Sequence, residues 1–228
     1  MHKKQILSQV GLFLNRGLKG TILLRHAHRE SIPNQSFGNE IPITPEGHQA
    51  AVAWGQTLCS LPLEIIESSP VLRCLQTAEC LQIGFQKQIV VNSSSLLGNP
   101  GLFIADPKEA EQLFLNETLQ DILKNLVTGV HLKGMHQISV GIARFFNELL
   151  FRKEKLTLLI THDSIMIPIC CYLFESIDIQ KYRPDFLEAL LIFYDEDQLY
   201  CCFRNHKTNI ARTLLPRSQR LEKIACSD

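Results

Sequence analysis

Thr21-Ile22-Leu23-Leu24 is an unbroken run of apolar or β-branched residues, and it ends abruptly in Arg25-His26-Ala27-His28-Arg29. Such a run reads as a buried strand with its cations at the carboxyl end. Upstream, Ile6, Val10, Phe13 and Leu14 follow helical spacing and predict an amphipathic leading helix. Downstream, the polar stretch from Glu30 to Pro42 reads as a loop. Thr44-Pro45-Glu46 then supplies an N-cap, a proline suited to the first helical position and an acid in the first turn. The helix they start runs through Ala50, Ala51, Trp54 and Leu58 to about Ser60.

Ile65-Ile66 predicts a short strand broken by Ser68-Ser69-Pro70, where Pro70 opens a helix from Val71 to about Ile83 with Leu72, Leu75, Ala78 and Leu81 inward. Ile89 to Val91 is a third strand, and Leu97 to Gly101 is a loop whose Gly and Pro force turns. Asp106 and Glu109 form a capping box for one helix continuing through Leu113, Leu119, Ile122 and Leu126 to Gly129. Another helix is expected over about Met135 to Arg152. Leu156 to Thr161 is the most strand-like run of all and ends in His162-Asp163; a buried helix follows from Ser164 to Phe174, bent at Pro168. Ala189–Tyr194 and Leu199–Arg204 predict an antiparallel hairpin, and the charged tail from Leu215 is expected to be mobile. The alternation predicts a single α/β domain over 1–228. Its architecture is a three-layer α/β/α sandwich on a mostly parallel sheet, with an antiparallel edge hairpin and a small helical cap insertion over about 98–152.

Composition narrows what this fold could do. In 228 residues, 23 Lys plus Arg balance 23 Asp plus Glu, which gives no global attraction to nucleic acid or acidic membranes. Anion recognition must therefore be local. The eight cysteines include no C-x-x-C pair and mostly sit in apolar runs, as expected of buried free thiols in a reducing compartment. The apolar residues after Met1-His2-Lys3-Lys4 are interrupted by Ser8, Gln9, Gly11, Asn15 and Arg16, unlike a secretory leader, and no run is long enough to span a bilayer. A cytoplasmic protein is expected.

Three predicted strand-to-helix transitions carry polar chemistry: Arg25/His26/Arg29, Arg73 and His162/Asp163. In one parallel sheet all three emerge at the same edge, where ligands bind in open α/β sheets. Arg73 is the least expected, because a cation in a helix's first turn opposes the helix dipole. It points either to an anionic partner or to a side chain snorkelling into solvent. Guanidinium forks match phosphate oxygens, and an imidazole can act as a nucleophile. His28 reads as a bystander, Asn99, Phe103 and Asp106 as structural, and His48, His131, His136 and His206 as surface residues. Neither a metal-ligand spacing nor a phosphate- or dinucleotide-binding glycine loop occurs, so no metal and no cofactor are expected.

Leu24-Arg25-His26-Ala27-His28-Arg29 resembles the Arg-His-Gly-x-Arg signature of the histidine phosphatase superfamily. Ser68 to Ala78 is similar to its Ser-Ser-Pro-x-x-Arg-x-x-Gln-Thr-Ala segment, and Thr161-His162-Asp163 resembles the His-Asp motif of its acid phosphatase branch. The resemblance, over about residues 21 to 170, implies that His26 is a nucleophile forming phosphohistidine. Arg25, Arg29, Arg73 and His162 would hold the phosphoryl oxygens, and Asp163 would protonate the leaving group and then assist the water. Two departures stand out. Ala27 replaces the usual glycine, where a methyl should be tolerated. No Glu lies between Cys80 and Asp106, the region from which mutase-like members take their general acid. The expectation is a small bacterial-type, metal-independent phosphomonoesterase acting on a small phosphorylated substrate, with neither nucleic acid nor membrane as partner and a pH optimum on the acid side of neutrality. A phosphoglycerate-mutase-like phosphoryl mutase and a non-catalytic phospho-ligand-binding module are the alternatives.

Overall fold

The structure, a computed structural model, describes residues 3–33 and 36–215. Among these, seven strands form one sheet: β1 (Lys19–Arg25), β2 (Ile65–Ser68), β3 (Val90–Ser93), β4 (Leu156–Thr161), β5 (Ala189–Tyr194), β6 (Gln198–Phe203) and β7 (His206–Ala211). Their spatial order is β3-β2-β4-β1-β5-β6-β7. The first four are mutually parallel, and β5, β6 and β7 run antiparallel beside them. β1 is the seam, parallel to β4 on one side and antiparallel to β5 on the other.

Side chains alternate across the seam strand and feed two cores. Ile22 and Leu24 join Leu158 and Ile160 against α1 (Lys3–Asn15), α2 (Pro45–Leu58) and α3 (Leu72–Phe85). Leu23 and Leu159 face the opposite core, which is closed by α5 (Leu119–Thr128), α6 (Ile138–Leu150) and α7 (Asp163–Leu173). This is the expected three-layer sandwich. Among the described residues no helix is long and apolar enough to cross a membrane.

Four expectations are corrected. The helix begun at Asp106 is two helices, α4 (Pro107–Asn116) and α5, because Glu117 is extended and Thr118 recaps the chain by accepting the Asp121 N–H. The next helix starts at Ile138, since Met135 is taken into a β-bridge with Ile104. The hairpin gains a third strand, β7, whose polar sequence suits an edge and hides its period. On α3, Leu72 and Leu75 are only half-buried, whereas Arg73, Cys74 and Thr77 face inward. Arg73 is thus buried, not snorkelling. The leading helix and the Thr44 cap match expectation, with Thr44 accepting from Gly47 N–H. The tail beyond Leu215 lies outside the described residues.

Candidate active site

Register brings the polar residues together. Arg25 pairs with Thr161 across β1 and β4, and Ser68 pairs with Ile160 across β2 and β4. The strands therefore end level. The backbone continues the ladder past them, with His26 N–H donating to the Thr161 carbonyl and Ser69 N–H to that of Ile160 (both 3.0 Å). His26, Ser69 and His162 consequently leave the sheet side by side, and the His26 and His162 ring centres lie 5.3 Å apart.

His26 is 1% exposed. Its Nδ1 sits 2.8 Å from the Ala27 carbonyl, an acceptor only, so the ring proton resides on Nδ1. Nε2 keeps its lone pair and accepts from Arg73 Nε at 3.2 Å. Burial, above all, holds the His26 pKa well below the usual histidine range, and His162, Arg73 and Arg25 push the same way. Ala27 is fully buried, its N–H donates to Thr77 Oγ1 at 3.0 Å, and it is not among the residues with positive φ. The methyl is accommodated.

Arg73 is the hub of the cluster. Besides the His26 contact, its Nη1 donates to the Gly38 carbonyl at 2.6 Å and its Nη2 lies 3.2 Å from His162 Nδ1. Arginine is a donor only, so His162 accepts at Nδ1 and donates from Nε2 to Ser69 Oγ at 2.9 Å. Burial first, then Arg73, Arg25 and Arg29, lowers the His162 pKa to about 3, and the ring is neutral. Cys74 Sγ packs 3.5 Å from His162 Nε2, and burial raises this thiol to about 12, which leaves it unreactive.

Arg25 is held from three sides. Nη2 pairs with Asp163 Oδ2 at 2.8 Å, Nη1 donates to the Pro184 carbonyl at 2.7 Å, and the guanidinium lies over the Phe186 ring at 4.1 Å. Its buried Nε has no hydrogen-bond partner. Asp163 Oδ1 accepts the Ser164 N–H at 3.0 Å. Arg29 stands at the rim, donating from Nη1 to the Glu30 carbonyl, with its own Nε unpartnered. It makes no hydrogen bond to the other site side chains, yet its charge acts on Arg25, Arg73 and His162. Burial lowers the pKa of Arg25, Arg29 and Arg73, but a guanidinium stays charged.

All six side chains singled out from the sequence thus meet at one edge, Arg29 most loosely. The residues that sequence reasoning missed lie mainly before β5: Arg183, Pro184 and Phe186. The available signal was the antiparallel sense of β5, which starts at the edge where the parallel strands finish. Gly98 was read only as a turn, yet a Cβ there would stand 2.6 Å from His162 Cδ2 and 2.7 Å from Ser69 Oγ. His28 stays off the cluster: it is exposed, with Nδ1 3.0 Å from Thr44 Oγ1 and its ring edge-on to Phe186. Phe103 is core, Asp106 caps α4, and His136 is half-buried. Among the described residues no group of three His, Cys, Asp or Glu converges as a metal site requires. Three guanidiniums facing one carboxylate leave a net positive pocket, sized in charge for a phosphoryl dianion, around a neutral imidazole whose Nε2 lone pair accepts from Arg73.

A model of the histidine phosphatase superfamily (branch 1) matches residues 21–96, which include Arg25, His26, Arg29 and Arg73 and stop short of His162-Asp163. No curated protein matches the sequence. Solved structures share the fold. YhfR of Bacillus stearothermophilus superposes with a TM-score of 0.56 at 16% identity over 82% of this chain and 96% of that one. A mycobacterial glucosyl-3-phosphoglycerate phosphatase gives 0.52 at 15% over 77% and 90%, and a phosphoserine phosphatase of Entamoeba histolytica gives 0.51 at 19% over 76% and 90%. At these identities the likeness is one of fold.

Proposed function

We propose that this chain is a member of the histidine phosphatase superfamily, whose model matches residues 21–96, and that it hydrolyses small phosphomonoesters without a metal, through a phosphohistidine at His26. One observation carries the reading: His26 Nδ1 is committed to the Ala27 carbonyl, so Nε2 presents a lone pair inside a ring of arginines. In the first step Nε2 attacks phosphorus and the phosphorus–oxygen ester bond breaks. The departing oxygen takes a proton from Asp163. In the second step water attacks the phosphohistidine, Asp163 receives the water's proton, the phosphorus–nitrogen bond breaks, and inorganic phosphate leaves. Arg25, Arg29 and Arg73 neutralise the equatorial oxygens in both steps, and His162 adds a neutral contact to them.

The bonds seen without ligand must be exchanged on binding. Arg73 Nε leaves His26 Nε2 for a phosphoryl oxygen, which frees the nucleophile. Arg25 Nη2 turns from Asp163 to the phosphate, and Asp163 must carry a proton when the leaving group departs. The expected acid-side pH optimum belongs to this exchange. The phosphatase names among the structural neighbours, and the absence of a Glu between Cys80 and Asp106, favour hydrolysis over mutase chemistry.

The test is a rapid acid-free quench of the protein with p-nitrophenyl phosphate followed by intact mass measurement. A phosphoryl adduct on wild type that maps to His26 and is missing from His26→Ala is expected, together with loss of turnover in the variant. Phosphate binding with neither adduct nor turnover would sink the reading and leave a binding module.

A further inference from the structure

Phe186 belongs to none of the motifs, yet it touches three of the residues around the site. The Arg25 guanidinium carbon lies 4.1 Å from its ring centre. The His26 ring centre is 5.6 Å away and tilted 50°, and the His28 ring centre is 4.9 Å away and edge-on at 75°. Its neighbours behave differently: Leu187 is buried in the core, whereas Phe186 is only half-buried, at the pocket wall.

Resting on the phosphatase reading above, we infer that Phe186 is a positioning residue, whose ring fixes the plane of the Arg25 guanidinium, and through it Asp163, while shielding His26 from water. Arg25 is pinned at its two terminal nitrogens, by Pro184 and Asp163, but its buried Nε has no partner. Two end contacts alone allow the plane to rock about the line joining them. A π face beneath the group removes that freedom, and a guanidinium, being weakly hydrated and planar, stacks well on an aromatic ring. The same contact lets Arg25 stay dry without satisfying Nε. Once a phosphoryl group replaces Asp163 at Nη2, the ring is what keeps Arg25 from following the carboxylate. The opposing account is apolar packing alone, for which any side chain of similar volume would serve.

Phe186→Leu removes the π face and opens the wall. With p-nitrophenyl phosphate, kcat should fall about ten- to hundredfold with a smaller change in KM, the scale on which misplaced groups act. The acid limb of the kcat/KM profile should also move to higher pH. Burial is the main cause of the low His26 pKa, and admitted water relieves it. The charged and titratable groups acting on His26 are Arg25 from β1, Arg73 from α3 and His162 just before α7, while Asp163, Arg29, Arg183 and Asp185 act on Arg25. The variant leaves all of them in place. Phe186→Tyr keeps the face and should restore both readouts. Pentafluorophenylalanine at 186 keeps the volume and reverses the charge of the ring face, so it isolates the cation–π contact from packing and does not depend on the leucine variant folding. Its kcat should fall as the leucine variant's does. Calorimetric binding of inorganic phosphate gives a readout independent of turnover and should weaken at least about fivefold in both altered proteins. Wild-type kcat and phosphate binding in the pentafluoro protein would overturn the inference and leave the phosphatase reading intact. An inactive wild type would sink that reading, and phosphate binding would still decide the role of Phe186.

Discussion

Gly98 shows how a residue with no reactive group can be fixed by the chemistry around it. Its φ of +146° lies where L side chains are strained, and a Cβ would stand 2.7 Å from both His162 Nε2 and Ser69 Oγ. Arg73, a donor only, keeps the His162 proton off Nδ1, and the Ser69 hydroxyl accepts the hydrogen bond from Nε2 and holds the ring in place. Gly98→Ala should push the two apart, lower kcat/KM about ten- to hundredfold, and cost about 1–3 kcal/mol of stability. Steady-state rates and urea unfolding check both effects, and unchanged activity would show that the His162–Ser69 contact is dispensable. The same scale explains Arg73. A cation at the start of α3 is unfavourable by sequence, and it is buried because it gives hydrogen bonds to His26, His162 and Gly38. The unfavourable placement was the signal.

At the scale of elements, caps decided what hydrophobic period could not. Leu113 and Leu119 both suit one long helix, but Thr118 accepts the Asp121 N–H at 3.2 Å and starts a new one. Thr118→Ala should destabilise the protein by about 1 kcal/mol, read from the midpoint of a denaturant titration, with little change in kcat because Thr118 touches no site residue. The strands β1, β2 and β4, the helix that follows each, and the six polar side chains at their ends were legible, since apolar runs that stop at charged residues fix both a strand and its edge. β7 was not legible, because an edge strand of Lys207, Thr208 and Asn209 lacks the alternation that a buried face imposes. Nor was the wall before β5. Pro184 and Phe186 act through a backbone carbonyl and a ring face, which leave no charge pattern in the sequence.

Over the whole molecule, the buried imidazoles make stability depend on pH. In the unfolded chain a histidine takes up its proton near pH 6.5. In the folded protein His26 does so well below that, and His162 only at about 3. Between these limits the unfolded chain binds more protons, so stability falls as the pH drops from about 6.5 towards 3, at up to about 1.4 kcal/mol per pH unit for each such group. Urea unfolding across pH 7 to 4.5 should show a shallower decline for His162→Asn than for wild type, and equal slopes would mean that His162 is not held neutral. The seam at β1 has another outcome, in the order of synthesis. The strand that carries His26 is made early, but its flanking strands come late: Thr21 meets Thr157 136 positions later, and Arg25 meets Pro184 159 positions later. A ribosome delivers the chain from its amino terminus, so the arginine ring cannot close around His26 until nearly the entire polypeptide has emerged. A truncated product lacking the segment before β5 would carry the full Arg25-to-Arg73 signature without the Pro184 and Phe186 contacts that hold Arg25.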